Sequence, residues 1–176
     1  MDFIFLWMGQ DLAMENDLTL SDITANTDVF YIGGTKVGAL FGEAVVIRNE
    51  ELKKDFRYNI KQRGGMLAKG RLLGIQFLTL FEENRYFDIS AHAARLAEKL
   101  KDELTKMGVK FYIDSPTNQQ FPILPDAVLA ELKKKYSFAY QERMDETHSA
   151  VRFCTCWATK EENVDMLLAD IRELLA

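Results

Sequence analysis

A chain of 176 residues, 48% hydrophobic and 28% charged, is long enough for one good core or for two small ones sharing an interface. Its formal net charge of -5, with no long basic face, argues against a general nucleic-acid or anionic-membrane surface. No apolar run approaches the roughly 20 residues of a membrane helix, and the short apolar start, Met1 to Met8, carries Asp2 where a signal peptide has basic residues.

In chain order, Asn16 to Asn26 is polar with apolar punctuation. Thr19-Leu-Ser-Asp22 has the form of a capping box, which predicts a short helix. Asp28 to Ile32 is β-branched and aromatic, a predicted strand ended by Gly33-Gly34. Gly42 to Ile47 reads as a buried strand through Ala44-Val-Val-Ile47. Asn49 is placed to cap a helix running to about Ile60, and Gly64-Gly65 breaks the chain. Helical spacing then predicts two longer helices, Met66 to Phe81 and Tyr86 to Met107, the second with Ala93, Leu96, Ala97, Leu100 and Leu104 on one stripe and Gly108 as its stop.

The remainder reads as a small α+β unit. Strands are expected at Val109–Ile113, Gln120–Leu124, Phe138–Gln141 and Ala150–Cys156, with a helix from Asp126 to Tyr136. A last helix is expected to start at Thr159, where Thr159-Lys-Glu-Glu162 resembles a second capping box. Cys154 and Cys156 alternate with Thr155 along a predicted strand and are not placed to bridge comfortably. They are expected to be free core residues in a reducing, cytoplasmic setting. No Cys/His spacing suits zinc, so no metal site is expected.

The informative stretch is Tyr31-Ile-Gly-Gly-Thr-Lys36-Val-Gly-Ala-Leu-Phe-Gly42. Glycines let backbone approach a ligand closely and adopt positive φ. Apolar walls favour a free amine over an ammonium, and capture of a carbonyl cofactor requires that amine. A surface lysine in a tight hairpin is the plain alternative, and the residues alone leave both readings open.

Four stretches, in order, bear a resemblance: Asp28 to Ala44 around Lys36, Lys61-Gln-Arg-Gly-Gly-Met-Leu-Ala-Lys-Gly70, Asp114-Ser-Pro-Thr-Asn-Gln-Gln-Phe-Pro-Ile123, and Val151-Arg-Phe-Cys-Thr-Cys-Trp-Ala158. Together they resemble the C-terminal half of the threonine aldolase and β-eliminating lyase group. That resemblance covers nearly everything after Glu15. It implies an α/β fold: the end of a pyridoxal-phosphate-dependent, aspartate-aminotransferase-like large domain followed by a small C-terminal α+β domain. The expected organisation is residues 1–65 as the residual large domain, 66–107 as linking helices and 108–176 as the small domain.

The resemblance implies that Lys36, beside Thr35, forms the Schiff base with pyridoxal 5'-phosphate, and that Arg152 grips the substrate carboxylate through two parallel hydrogen bonds. It implies a small amino-acid substrate, a β-hydroxy amino acid cleaved to glycine and an aldehyde, and a homo-oligomer as the working form. Arg63, Lys69 and Arg71 stand near Gly64-Gly65, but Leu67 occupies the position where related aldolases carry an arginine, so no role carries over to them. His92, on a long amphipathic helix, reads as structural or exposed. For His148, just before the Arg152 strand, proton transfer is the minor reading, and Asn118 and Gln119 are expected to orient the Arg152 region.

The family's first half supplies the phosphate-binding loop and the ring-stacking aromatic residue, and at the place where this chain starts the family has an Asp-Gly-Ala-Arg strand end, a motif that does not stand here. Trp7 and Met8 each have one codon, and with a following glycine codon they force Asp-Gly in an alternative frame. In that frame Phe3 to Met14 can spell the family motif. Residues 1–14 are therefore expected to be an out-of-frame translation, for which the coding DNA is the direct test. The chain is expected to be truncated and inert on its own, with uncovered apolar surface that drives association.

Overall fold

The computed structural model describes residues 7–8 and 19–176. The expected out-of-frame segment lies outside these residues except for the backbone of Trp7–Met8, as does the start of the helix expected from Asn16. The chain divides into two compact units, residues 1–90 and 91–176. The division falls inside one long helix.

The first unit is built on a three-stranded sheet. β1 (Trp7–Met8) runs parallel to β2 (Val29–Gly33), and β2 pairs antiparallel with β3 (Glu43–Ile47) from Val29↔Ile47 to Gly33↔Glu43. The alternation of β2 turns Phe30 and Ile32 inward. α1 (Leu20–Asn26) precedes it and carries the expected capping box: the Asp22 amide donates to the Thr19 hydroxyl at 3.2 Å, and the Thr19 amide donates to the Asp22 carboxylate at 2.8 Å. Ile23 joins Phe30, Ile32, Val37, Ala39, Leu80 and Tyr86 in the core of this unit.

The helix expected from Asn49 to Ile60 is two pieces, α2 (Glu50–Lys53) and α3 (Phe56–Gln62), with Asp55 between them at φ 57°. The junction Lys53-Lys54-Asp55 is polar and exposed, so no apolar stripe holds a continuous helix there. Asn49 caps the first piece as expected, its side chain accepting from the Glu51 amide at 3.0 Å. Residues 66–70, expected as helix, are exposed and non-helical. α4 (Arg71–Phe81) begins only after Gly70, where Phe77 and Leu80 find a core to enter. A 3-10 turn, Glu82–Asn84, leads into α5 (Arg85–Lys106). Within the first unit, the buried Tyr86 stacks on Phe81 with ring centroids 5.1 Å apart, and its hydroxyl donates to the Gly33 carbonyl at 2.9 Å.

The second unit is an antiparallel sheet with helices on one face. β7 (His148–Cys154) lies at its centre. β4 (Gln119–Gln120) and β5 (Ile123–Pro125) pair along one edge of β7, and β6 (Ala139–Arg143) pairs along the other. The sequence pattern implies one strand from Gln120 to Leu124. It is instead split at Pro122, which has no N–H to give to a ladder. The strand expected at Val109–Ile113 reduces to a single bridge, Phe111 to Pro122, for the same reason. Leu96, Leu100 and Leu104 of α5 pack with Val128, Leu129 and Leu132 of α6 (Asp126–Leu132), with Val164, Leu168 and Ile171 of α7 (Glu161–Leu175), and with Leu124, Val151 and Phe153 of the sheet. α7 begins one residue later than the second capping box implies. Lys160 is its N-cap, because the Thr159 hydroxyl is already engaged as acceptor for the Cys156 amide at 2.9 Å.

The β6–β7 turn is organised by one carboxylate oxygen. Asp145 Oδ1 accepts from the amides of Thr147 (2.7 Å) and His148 (2.8 Å), from the Thr147 hydroxyl (3.1 Å) and from His148 Nδ1 (3.1 Å). The Thr147 amide bond and the His148 side chain lead the causes that hold this carboxyl down at about 2.

Two outcomes follow. A Cβ added at Gly34 would lie 2.6 Å from Ala39 Cβ and 3.1 Å from the Phe77 ring. Gly34→Ala is therefore expected to destabilise the first unit by about 1–3 kcal/mol, read as an earlier urea midpoint. Since the folded Asp145 carboxyl sits below its usual 3.8, its contribution is complete above that value and is lost as pH falls toward about 2. Asp145→Asn should flatten the acid limb of stability against pH, and superimposable limbs for the two proteins would refute this.

Candidate active site

Lys36 lies in a 3-10 turn, Thr35–Val37, directly after β2. The turn exists because its neighbours are anchored. Val37 is 2% exposed and Ala39 8%, both in the core of the first unit. The Val37 and Ala39 amides both donate to the Gly34 carbonyl, at 3.1 and 2.9 Å. Gly38 then takes φ 95° and Gly42 φ 91°, conformations that favour glycine. With Val37 turned inward, Thr35 and Lys36 point outward and are exposed. The apolar walls expected around Lys36 are a floor beneath it in this chain, since the buried side chains of the turn belong to the residues after it. No described carboxylate pairs with Lys36.

The sequence reading missed a clamp beside this turn. Gln76 on α4 accepts the Leu40 amide at 2.7 Å and donates to the Phe41 carbonyl at 3.2 Å. The Gln76-Phe77 pair was legible only as part of a helical stripe; nothing local marks Gln76 as the partner of a loop about 35 residues earlier.

Arg152 belongs to the second unit, on β7. Ser149, Val151 and Phe153 face the helices, so Arg152 and Cys154 stand exposed on the opposite face. Ala139 of β6 lies across from Arg152 on one edge, and the unbroken register of β4 and β5 sets Phe121 across from it on the other. The same alternation corrects the expectation that Cys154 is a core residue: it is exposed, and Cys156 is half-buried. Both thiols are free.

Just beyond Arg152, the strand end is fastened by buried polar groups. Asn118 Nδ2 donates to the Thr155 carbonyl at 2.7 Å, the Thr155 amide returns a bond to the Asn118 carbonyl at 3.0 Å, and the Thr155 hydroxyl donates to the Ala93 carbonyl at 2.7 Å. Asn118 is thus part of the fastening, whereas Gln119 contributes a backbone pairing to Cys154. His148 begins β7 four residues before Arg152, a separation of about 13 Å along a strand, and its ring is engaged by Asp145 and Thr147. His92 is structural, with Nε2 donating to the Thr159 carbonyl at 2.9 Å. Arg63, Lys69 and Arg71 are exposed, without an ion pair to a described carboxylate. Among the described residues no group of histidines, cysteines and carboxylates is arranged to hold a metal. No described helix is long and apolar enough to cross a membrane.

Thr35 and Lys36 are therefore brought together in one turn, and Arg152 sits in the other unit. The arrangement offers an accessible amine on a rigid floor and an accessible guanidinium on a rigid sheet. The Lys36 amine is open to solvent in this chain, so the apolar enclosure expected around it is not supplied by the described residues of the first unit.

No family model matches the chain. It is 31% identical over 157 residues to the low specificity L-threonine aldolase of a Pseudomonas strain, a match over 86% of this chain and 43% of that protein. It is 29% identical over 153 residues to the corresponding enzyme of Pseudomonas aeruginosa, over 84% of this chain and 42% of that protein. Among solved structures, a threonine aldolase of Leishmania major superposes with a TM-score of 0.94 at 40% identity, covering 99% of this chain and 52% of that one. The serine palmitoyltransferase of Sphingomonas wittichii matches with a TM-score of 0.66 at 15% identity, over 97% of this chain and 46% of that one, a likeness of fold alone. The chain spans about half the length of the relatives it matches. It belongs with the threonine aldolases, on the aspartate-aminotransferase-like fold of pyridoxal-phosphate enzymes.

Proposed function

We propose that this chain is part of a pyridoxal-phosphate-dependent lyase that cleaves a β-hydroxy amino acid to glycine and an aldehyde, with Lys36 as the cofactor lysine and Arg152 as the substrate-carboxylate grip. The observation that carries the reading is the match to a threonine aldolase along 99% of the chain at 40% identity. Lys36 follows β2 in the turn Thr35–Val37, which the buried Val37 anchors.

In this reading Lys36 Nζ holds the cofactor and Thr35 stands beside it. The bound cofactor supplies an electron sink for the carbon from which the side chain departs. Arg152 orients the amino acid through a bidentate pair with its carboxylate. The Asn118–Thr155 fastening keeps the end of β7 in register, so that the guanidinium is presented from a fixed strand. A reduced, cytoplasmic setting agrees with two free thiols.

A second reading is favoured by exposure: the chain is a non-catalytic fragment that associates without retaining cofactor. Leu40 is 83% exposed, and Ile75 and Leu78 extend an apolar surface along α4. A surface of this kind calls for a covering partner. We assign that partner to a second copy of this chain.

Two measurements separate these readings. Added pyridoxal phosphate should produce a visible absorption band in the folded chain that is absent in Lys36→Ala. A folded chain without the band assigns the inert fragment. Sedimentation should show a dimer or larger species, and a clean monomer that binds no apolar dye would remove the oligomer.

A further inference from the structure

The second unit carries a groove that the proposed lyase chemistry does not use. Its volume is about 540 Å³, within the roughly 300–1,000 Å³ range of small-molecule sites. Met107, Val109, Ile123, Met144 and Leu175 provide apolar walls, and Lys110, Asp145 and His148 provide the polar groups. Met107 and Met144 are unbranched side chains that adapt to a guest. The groove is separate from Arg152, which does not line it.

His148 gives this groove a defined chemistry. Its Nδ1 is 2.9 Å from Thr147 Oγ1 and 3.1 Å from Asp145 Oδ1; with the Thr147 hydroxyl donating to Asp145 Oδ1, both oxygens accept from Nδ1, which then carries the proton. Nε2 is left as the ring nitrogen with a lone pair available to a ligand. Asp145 is itself saturated at that oxygen by the turn, so the ring cannot rotate without giving up a bond that the turn already fixes. Lys110 and Asp145 carry opposite charges at the same groove. A singly charged guest would meet a like charge beside its opposite, and would lose hydration on entry. A neutral guest meets neither cost.

We propose that this groove binds a small neutral aromatic alcohol, its ring against Met107, Ile123, Met144 and Leu175 and its hydroxyl donating to His148 Nε2.

The test is protein-observed NMR of the full chain with three matched probes: 4-ethylphenol, 4-ethyltoluene and 4-ethylbenzoate. The expected result is saturable shifts from 4-ethylphenol at the His148 ring and the Met107 and Met144 methyls, with 4-ethyltoluene binding roughly fivefold more weakly for want of one hydrogen bond. His148→Phe keeps the ring volume and should weaken 4-ethylphenol by a similar factor while leaving 4-ethyltoluene unchanged. Absence of saturable shifts, equal binding of phenol and toluene, or tighter binding of the benzoate overturns the proposal. Should His148→Phe not fold, the probe comparison on the unaltered chain decides alone. None of these readouts depends on pyridoxal phosphate, so the groove and the lyase reading fail separately.

Discussion

The burial of Val37 governs everything proposed for the first unit. A three-residue 3-10 turn has little intrinsic stability, and this one persists because a single side chain at 2% exposure is driven into the core formed by Ile23, Phe30, Ile32 and Leu80. Fully burying a valine is worth about 1.5–3 kcal/mol. Two amides folded onto the Gly34 carbonyl fix the turn's pitch. Once Val37 is down, Lys36 has only one way to point. The amine is exposed because its successor is buried.

The second unit applies the same logic with hydrogen bonds. Arg152 faces outward because Val151 and Phe153 face inward, and the alternation is held in phase by the Asn118–Thr155–Ala93 fastening. A buried amide pair of this kind is costly to leave half-made, so it reinforces the register that the apolar alternation of β7 sets. At the other end of β7, the Asp145 turn serves the same purpose with one charged oxygen. Each candidate binding group thus rests on a neighbour that is over-determined.

Leu40, Leu72, Ile75 and Leu78 are all exposed, although Gln76 among them is committed to holding the Leu40–Phe41 loop. A surface that is ordered by polar clamps and yet apolar is suited to being covered. This agrees with a chain that spans about half of its relatives.

The sequence by itself determined the family and much of the element order. The resemblance around Lys36 and Arg152, the capping box of α1 and the long stripe of α5 depend on local spacing, and local spacing is what a sequence displays. The site residues were legible as types and positions, but their surroundings were not. Only tertiary structure decided that Lys36 stands on an apolar floor, that Cys154 faces out, that Pro122 divides a strand in two, and that the helix after Asn49 is broken at Asp55. It also brought Asn118 to Thr155 and Gln76 to the Leu40–Phe41 loop, pairs about 35 residues apart or more. Burial and long-range hydrogen bonds depend on which surfaces meet, and that is a property of the folded chain as a whole.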